Sequence, residues 1–383
     1  MLELGIDELN IVLRASRDDV GDDLGIHTWP DLASYFAGTV ADVLDLRVAV
    51  GGCNTAKCCP RGYTDGVTYG GAGGRVDIAF HEGHPSSGVI VSFSAQGLAR
   101  WREATGMEAW QLVQLVQRPD LYNARASRID LIADYLDEGF SPDQINAAIS
   151  SGDLAAYRRQ HGKGGAVQLR RWSGETQGFM VGGEASTVYL GSRAKNTGGY
   201  LRIYDKRREQ IERSGPYLEK ARNCSDWVRF EARLLQKNAH GFGDELVKCA
   251  SNDEYKALIA HVIADRYRFI DVHTGDLAPW TAALAAVAGN PSAVLLSRPS
   301  TRNYDLGAKL DHVADSSGII SLMHRADAIW GDGARDAVLA YLSARADAIA
   351  PNRDTVAWVA GYADTYRREF ASVDDWLIAD AAA

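Results

Sequence analysis

Between residues 198 and 206 the sequence reads GGYLRIYDK, which places Tyr200, Arg202, Tyr204 and Lys206 at every second position with Leu201 and Ile203 between them. Side chains alternate across a strand, so this segment carries two phenols and two cations on one face and aliphatic groups on the other. A phenol with an ordinary pKa of about 10 is protonated at neutral pH and becomes a nucleophile only beside a cation, a metal or a base. Arg202 and Lys206 flank Tyr204 on its own face, where they can lower its pKa or contact phosphates.

Two further segments divide in the same way. Over 128–134, Arg128, Asp130, Ile132 and Asp134 alternate with Ile129, Leu131 and Ala133, and over 227–234 Trp227, Arg229, Glu231 and Arg233 alternate with Val228, Phe230, Ala232 and Leu234. A solvated antiparallel face accounts for any one of these strands alone. Arginines, acids and tyrosines recurring on three strands also match what phosphodiester cleavage needs: a nucleophile, cations for the phosphate and acids for a metal. Carboxylates with few histidines nearby favour a hard ion, Mg²⁺ or Mn²⁺. Asp130 and Asp134 would lie about 13 Å apart on a flat strand, too far to share one ion. Residues facing each other on paired strands have Cβ atoms about 5 Å apart, which makes Asp130 with Glu231 the better pair and leaves Asp134 as a further candidate. Strand parity does not choose between Tyr200 and Tyr204 as nucleophile.

The elements around these strands read as α+β. The segment 8–15 is strand-like, and 28–46 opens a helix with Thr28 as N-cap and Pro30 in the first turn. Segments 75–81 and 88–95 form a hairpin, and helical spacing follows. A second set repeats that order: a strand at 126–137, a helix capped by Ser141 and Gln144, strands at 166–172, 177–182, 186–193, 200–206 and 226–235, and a helix capped by Ser251. Two successive, mainly antiparallel sheet layers with packed helices are expected, although no sequence repeat marks a duplication. From about 290 the chain turns Pro/Ser-rich and then Ala-rich with helical spacing. The expected division is therefore 1–120, 121–290 and a C-terminal helical subdomain over 291–383.

At 383 residues and a net charge of −9 the chain does not suit indiscriminate coating of nucleic acid. Residues 155–240 nevertheless hold 17 Lys+Arg against 8 Asp+Glu, while the remainder holds 24 against 42, which suits a confined anionic site. No basic leader precedes an apolar run, and no window spans a bilayer, so a cytoplasmic protein without membrane partners is expected. Cys53, Cys58 and Cys59 lack C-x-x-C spacing and read as free thiols. His81 and His84 of HEGH fall in a turn without the zinc-protease spacing, and YGGAGG leads into a strand rather than a helix, so it reads as a β turn.

Taken together, RIDLIADYLD, YLGSRAKNTGGYLRIYDK and WVRFEARL, in this order and at these separations, resemble the replication initiation factor family of rolling-circle plasmid and filamentous-phage-type initiators and related nicking relaxases. The resemblance is clearest over about 125–240, and VIVSFSAQGLARW resembles an earlier segment of the family. It implies an enzyme that nicks one strand at an origin, stays attached to the 5′ phosphate through tyrosine and leaves a 3′ hydroxyl to prime synthesis. The nucleophile of the family's R-I-Y-[DN]-K motif falls on Tyr204, with Tyr200 as its rival; Asp130 and Glu231 fall at the expected metal positions. Arg202, Lys206, Arg229, Arg193 and Arg128 are the expected phosphate ligands. Where related initiators carry a second acid two residues beyond the glutamate, this chain has Arg233. The implied partner is origin duplex with a locally single-stranded nick site; a host helicase and a second copy of the chain are candidate partners. A noncatalytic nucleic-acid-binding regulator, or a relaxase for conjugative transfer, are the alternatives.

Overall fold

The computed structural model describes the chain except for residues 18, 56–58, 61, 72, 162–166, 173–176, 182–183, 192–198, 290–309, 311–312, 314–317, 352–354, 357–358, 360–362, 364–365, 368–369 and 382–383. Arg193, Cys58 and the Pro/Ser-rich stretch beginning at 290 lie outside the described residues. The chain divides into two compact units, Met1–Leu296 and Ser297–Ala383. The second unit is helical among the described residues, with helices Ile319–Trp330, Ala334–Ala348 and Val373–Ala381, as its spacing predicts.

Among the described residues, thirteen strands form the first unit's sheets: β1 (Leu2–Ala15), β2 (Cys53–Thr55), β3 (Asp65–Gly71), β4 (Gly74–Phe80), β5 (Val89–Phe93), β6 (Tyr122–Leu136), β7 (Leu154–His161), β8 (Val167–Arg171), β9 (Gln177–Val181), β10 (Glu184–Leu190), β11 (Gly199–Asp205), β12 (Trp227–Leu235) and β13 (Arg268–Asp271). Ten of them make one antiparallel sheet in the order β2-β3-β4-β5-β1-β6-β12-β11-β10-β9, and β13-β7-β8 make a small second one. The class is α+β, as expected, but the two strand sets are not separate layers. They join edge to edge through β1 and β6, paired from Leu2↔Tyr135 to Ala15↔Tyr122. Each of these long first strands would otherwise expose a row of unpaired backbone groups, and pairing them removes both edges. Residues on either side of 120 accordingly lie in the same unit.

Read outward from the centre, both half-sheets follow one path: β1-β5-β4-β3-β2 and β6-β12-β11-β10-β9. In each, a long first strand leads into a capped helix, and four meandering strands return to pair with the first. Thr28 caps Trp29–Val43 by accepting the Asp31 N–H at 3.3 Å. Ser141 and Gln144 close a reciprocal capping box on Pro142–Ser151 at 3.2 and 2.9 Å. The YGGAGG segment bridges β3 and β4, with Gly71 opposite Gly74.

One face of the sheet is the core. Ile129, Leu131, Ala133, Leu201, Ile203, Phe230, Ala232 and Leu234, the aliphatic parity of the three polar-faced strands, are all at most 1% exposed. Burying a large aliphatic or Phe side chain of this kind contributes about 1.5–3 kcal/mol, which fixes the register of all three strands. Register fixes the opposite face in turn. At Gly199, where φ is +132°, an added Cβ would sit 1.8 Å from the Arg233 carbonyl oxygen, so β11 reaches β12 this closely only with glycine there.

Candidate active site

The polar face of β1, β6, β12 and β11 is a lattice of alternating charges whose rows are set by strand register. The first row runs Glu8, Asp130, Arg233, Tyr200; the second runs Gly5, Ile132, Glu231, Arg202; the third runs Glu3, Asp134, Arg229, Tyr204. Tyr189 of β10 extends the second row and Thr187 the third. Asp130 therefore faces Arg233, and Glu231 faces Ile132; the two acids are diagonal neighbours, not the facing pair expected.

Every acid in this lattice except Glu3, which pairs with Lys220, is engaged by a guanidinium. Asp130 accepts from Arg128 at 2.5 and 3.0 Å and from Arg233 at 2.7 Å. Arg128 also pairs with Glu8, and Arg202 with Glu231. Arg229 binds Asp134 through two bonds of 2.7 Å and reaches Asp7 at 2.8 Å. Arg229 is 3% exposed and gives three hydrogen bonds to these carboxylates, so it faces protein rather than an incoming phosphate. Burial works against its charge, yet Asp134 and Asp7 more than offset this and raise its pKa. Breaking such a buried pair from one side costs about 3–5 kcal/mol.

Tyr204 lies in the third row between Arg229 and Thr187, 6% exposed. The Arg202 guanidinium stacks on its ring at 4.3 Å from the centroid, and the Lys206 Nζ lies at 5.6 Å. Burial pushes the phenol pKa well above its ordinary value; Arg229 and then Arg202 pull against that, with the Glu231 carboxylate acting the other way between them. Lys206 does not continue the strand: it opens the helix Lys206–Glu212, pairs with Glu209, and follows Asp205, which caps the helix by accepting the Arg208 N–H. Arg202 Nε is buried and has no acceptor among the described residues.

Tyr200 is half-buried and four residues from Tyr204, about 13 Å along the strand, so the two phenols cannot address one phosphate. Tyr135 belongs to the core, 1% exposed, with its hydroxyl donating to the Trp280 carbonyl at 2.8 Å.

Sequence reasoning missed Asp7 and Glu8. Register passes from Ile6↔Leu131 to Glu8↔Asp130, so Asp7 is an extra residue in β1, a bulge that delivers two consecutive acids to the site. The break in period-2 alternation at Ile6-Asp7-Glu8-Leu9 is the signal; the pairing of β1 with β6 that gives it meaning is not local. Glu8 and Glu231 both have raised pKa values, burial being the largest cause in each.

Hard carboxylate oxygens suit Mg²⁺ or Mn²⁺ in chemical type. In arrangement they do not converge: no group of three or more metal-ligating side chains occurs among the described residues. The rings of His81 and His84 lie 4.2 Å apart at a turn, with no third ligand among the described residues. No helix among the described residues is long and apolar enough to cross a membrane.

Residues 124–312 match the family model described as replication initiation factor. The match takes in β6, β11 and β12, the strands that bear Asp130, Tyr204 and Glu231. No curated protein matches the chain. Among solved structures, a rolling circle replication initiator protein from Geobacillus stearothermophilus is similar over 78% of this chain and 100% of its own, at 16% identity and a TM-score of 0.49.

Proposed function

We propose that the chain is a replication initiator that nicks origin DNA and transfers the cut strand to Tyr204 in a rolling-circle mechanism. The observation that carries this reading is Arg202, a guanidinium stacked on the Tyr204 ring with its Nε–H buried and lacking an acceptor among the described residues. A phosphate oxygen is the acceptor such a group takes. Tyr204 Oη would attack phosphorus, forming the O–P bond as the P–O3′ bond breaks; the phenol loses its proton and the departing 3′ oxygen gains one. The product is a 5′-phosphotyrosine adduct and a free 3′ hydroxyl.

An arriving phosphate competes with Glu231 for Arg202. As Arg202 turns to the phosphate, it uncovers the ring and releases a carboxylate. Lys206 supplies a second cation beside the ring, and Arg229, fixed by Asp134 and Asp7, holds a positive charge opposite the phenol. Arg128 contacts the strand only if it leaves Glu8 and Asp130. Asp130 and Glu231 would hold Mg²⁺ or Mn²⁺ only after release from Arg128, Arg233 and Arg202, and the ion would then supply Lewis-acid charge.

A supercoiled plasmid carrying the cognate origin, incubated with and without Mn²⁺, tests this. Wild type should give nicked circles and a covalent adduct, and Tyr204→Phe neither; an adduct that persists in Tyr204→Phe removes Tyr204 as nucleophile. The arginine-saturated state of the acids favours a second reading, a noncatalytic DNA-binding regulator. Origin binding by wild type without nicking under any divalent metal would establish that one.

A further inference from the structure

Next to Tyr204 on the same face stands a second aromatic feature that the cleavage reading does not use. Tyr189 of β10 and Tyr200 of β11 bring their rings to 5.8 Å between centroids at an interplanar angle of 54°. Both are half-buried, unlike Tyr122, Tyr135, Tyr255 and Tyr267, which are at most 1% exposed. The Arg233 guanidinium lies over the Tyr200 ring at 5.2 Å, and Tyr189 faces Arg202 in register. The face therefore presents, in order along β11, a phenol clasped by Arg202 and then a pair of partly open rings edged by Arg233.

We propose that Tyr189 and Tyr200 form a stacking site for an unpaired nucleobase of the single strand whose phosphate lies at Tyr204; the proposal rests on the reading that this face takes DNA. A π-face held beside guanidinium groups suits a ligand that combines a flat base with a neighbouring anion. Tyr189 stands about two residues from the Tyr204 row and Tyr200 about four, roughly 7 and 13 Å along the strand, within reach of a nucleotide adjoining the scissile phosphate. A base inside a duplex is already stacked on both sides, so the site selects strand that has been opened. Tyr200 thereby has a role distinct from attack. A cross-strand aromatic pair that only stabilises the β10–β11 hairpin would be indifferent to whether the DNA carries bases.

That difference is measurable on the full-length chain. The probes are a labelled single-stranded oligothymidylate and an abasic oligomer of equal length and charge, with anisotropy reading affinity. Wild type should prefer the oligomer with bases by about 5-fold to 150-fold, the range of one stacked base. Tyr200→Leu and Tyr189→Leu should bind the abasic oligomer like wild type and lose most of that preference, and Tyr200→Phe should keep it. Equal binding of both oligomers by wild type, or an undiminished preference in both leucine variants with native melting curves, overturns the proposal. Loss of the covalent adduct in Tyr200→Phe would overturn it too, by making Tyr200 the nucleophile. Failure of the cleavage reading is separately visible, because it removes the adduct and leaves the base preference intact.

Discussion

The two half-sheets trace the same path but present different chemistry on the polar face. Beyond β1, whose acids join the charged lattice, the first half lines that face largely with short groups: Thr68 donates to Asp77 at 2.7 Å, and Ser92 donates to Asn10 at 2.9 Å. Within β4, Arg75, more than half exposed, pairs with Asp77 at 3.2 Å. In the second half the corresponding positions of β11 and β12 carry Tyr200, Arg202, Tyr204, Arg229, Glu231 and Arg233. Where β11 has two tyrosines, the equivalent β4 has Arg75, Asp77 and Ala79. The path of the chain thus creates two equivalent platforms, and side-chain identity alone makes one of them a candidate for chemistry.

The contrast is tested most severely at Tyr204. Tyr204→Phe should reduce adduct formation on the order of 10³-fold or more, measured by gel shift of a labelled strand under denaturing conditions. A phenol introduced in the other platform, Asp77→Tyr, should form none. Next in size is Arg229→Met, which leaves Asp134 buried without its cation and should cost about 3–5 kcal/mol in urea unfolding. Arg75→Met, the counterpart with an exposed cation, should cost less than about 1 kcal/mol; equal losses would erase the distinction between the halves. Gly199→Ala should destabilise by about 1–3 kcal/mol through its positive φ and its clash with β12. The smallest effect lies outside both platforms. His273 has its pKa raised from 6.5, its hydrogen bond to Asp153 being the largest cause. A raised histidine stabilises the fold below its unfolded pKa, and that contribution is lost as pH rises through the folded value. An NMR titration should show the His273 midpoint fall in Asp153→Asn, with nicking unchanged.

The polar and apolar parities of β6, β11 and β12 were readable directly, because a strand's period of two survives in any one segment: Leu201 and Ile203 are buried in the core, as expected. Helix caps at Thr28 and Ser141 were legible for the same local reason. What could not be read is which residues face each other. One choice of register decides whether Asp130 meets Glu231 or Arg233, and it depends on packing across the whole sheet. The merging of the strand sets through β1 and β6 was equally hidden, as was Arg229 serving as a buried brace. Each depends on contacts between segments more than 90 residues apart, as in the Arg229–Asp134 pair.

The bulge at Asp7 sets a limit on modularity. The family match begins at residue 124, yet the brace of Arg229 and the acid facing Asp130 come from residues 7 and 8. A fragment cut at the family boundary would carry Tyr204 and all its arginines but leave Arg229 short of one carboxylate and the β6 edge bare. Deleting Asp7 alone would straighten β1 with Ile6 still opposite Leu131 and Glu8 still opposite Asp130, and would remove the carboxylate that braces Arg229. The site is therefore a property of the joined sheet, and grafting it into another protein would mean transplanting both halves together.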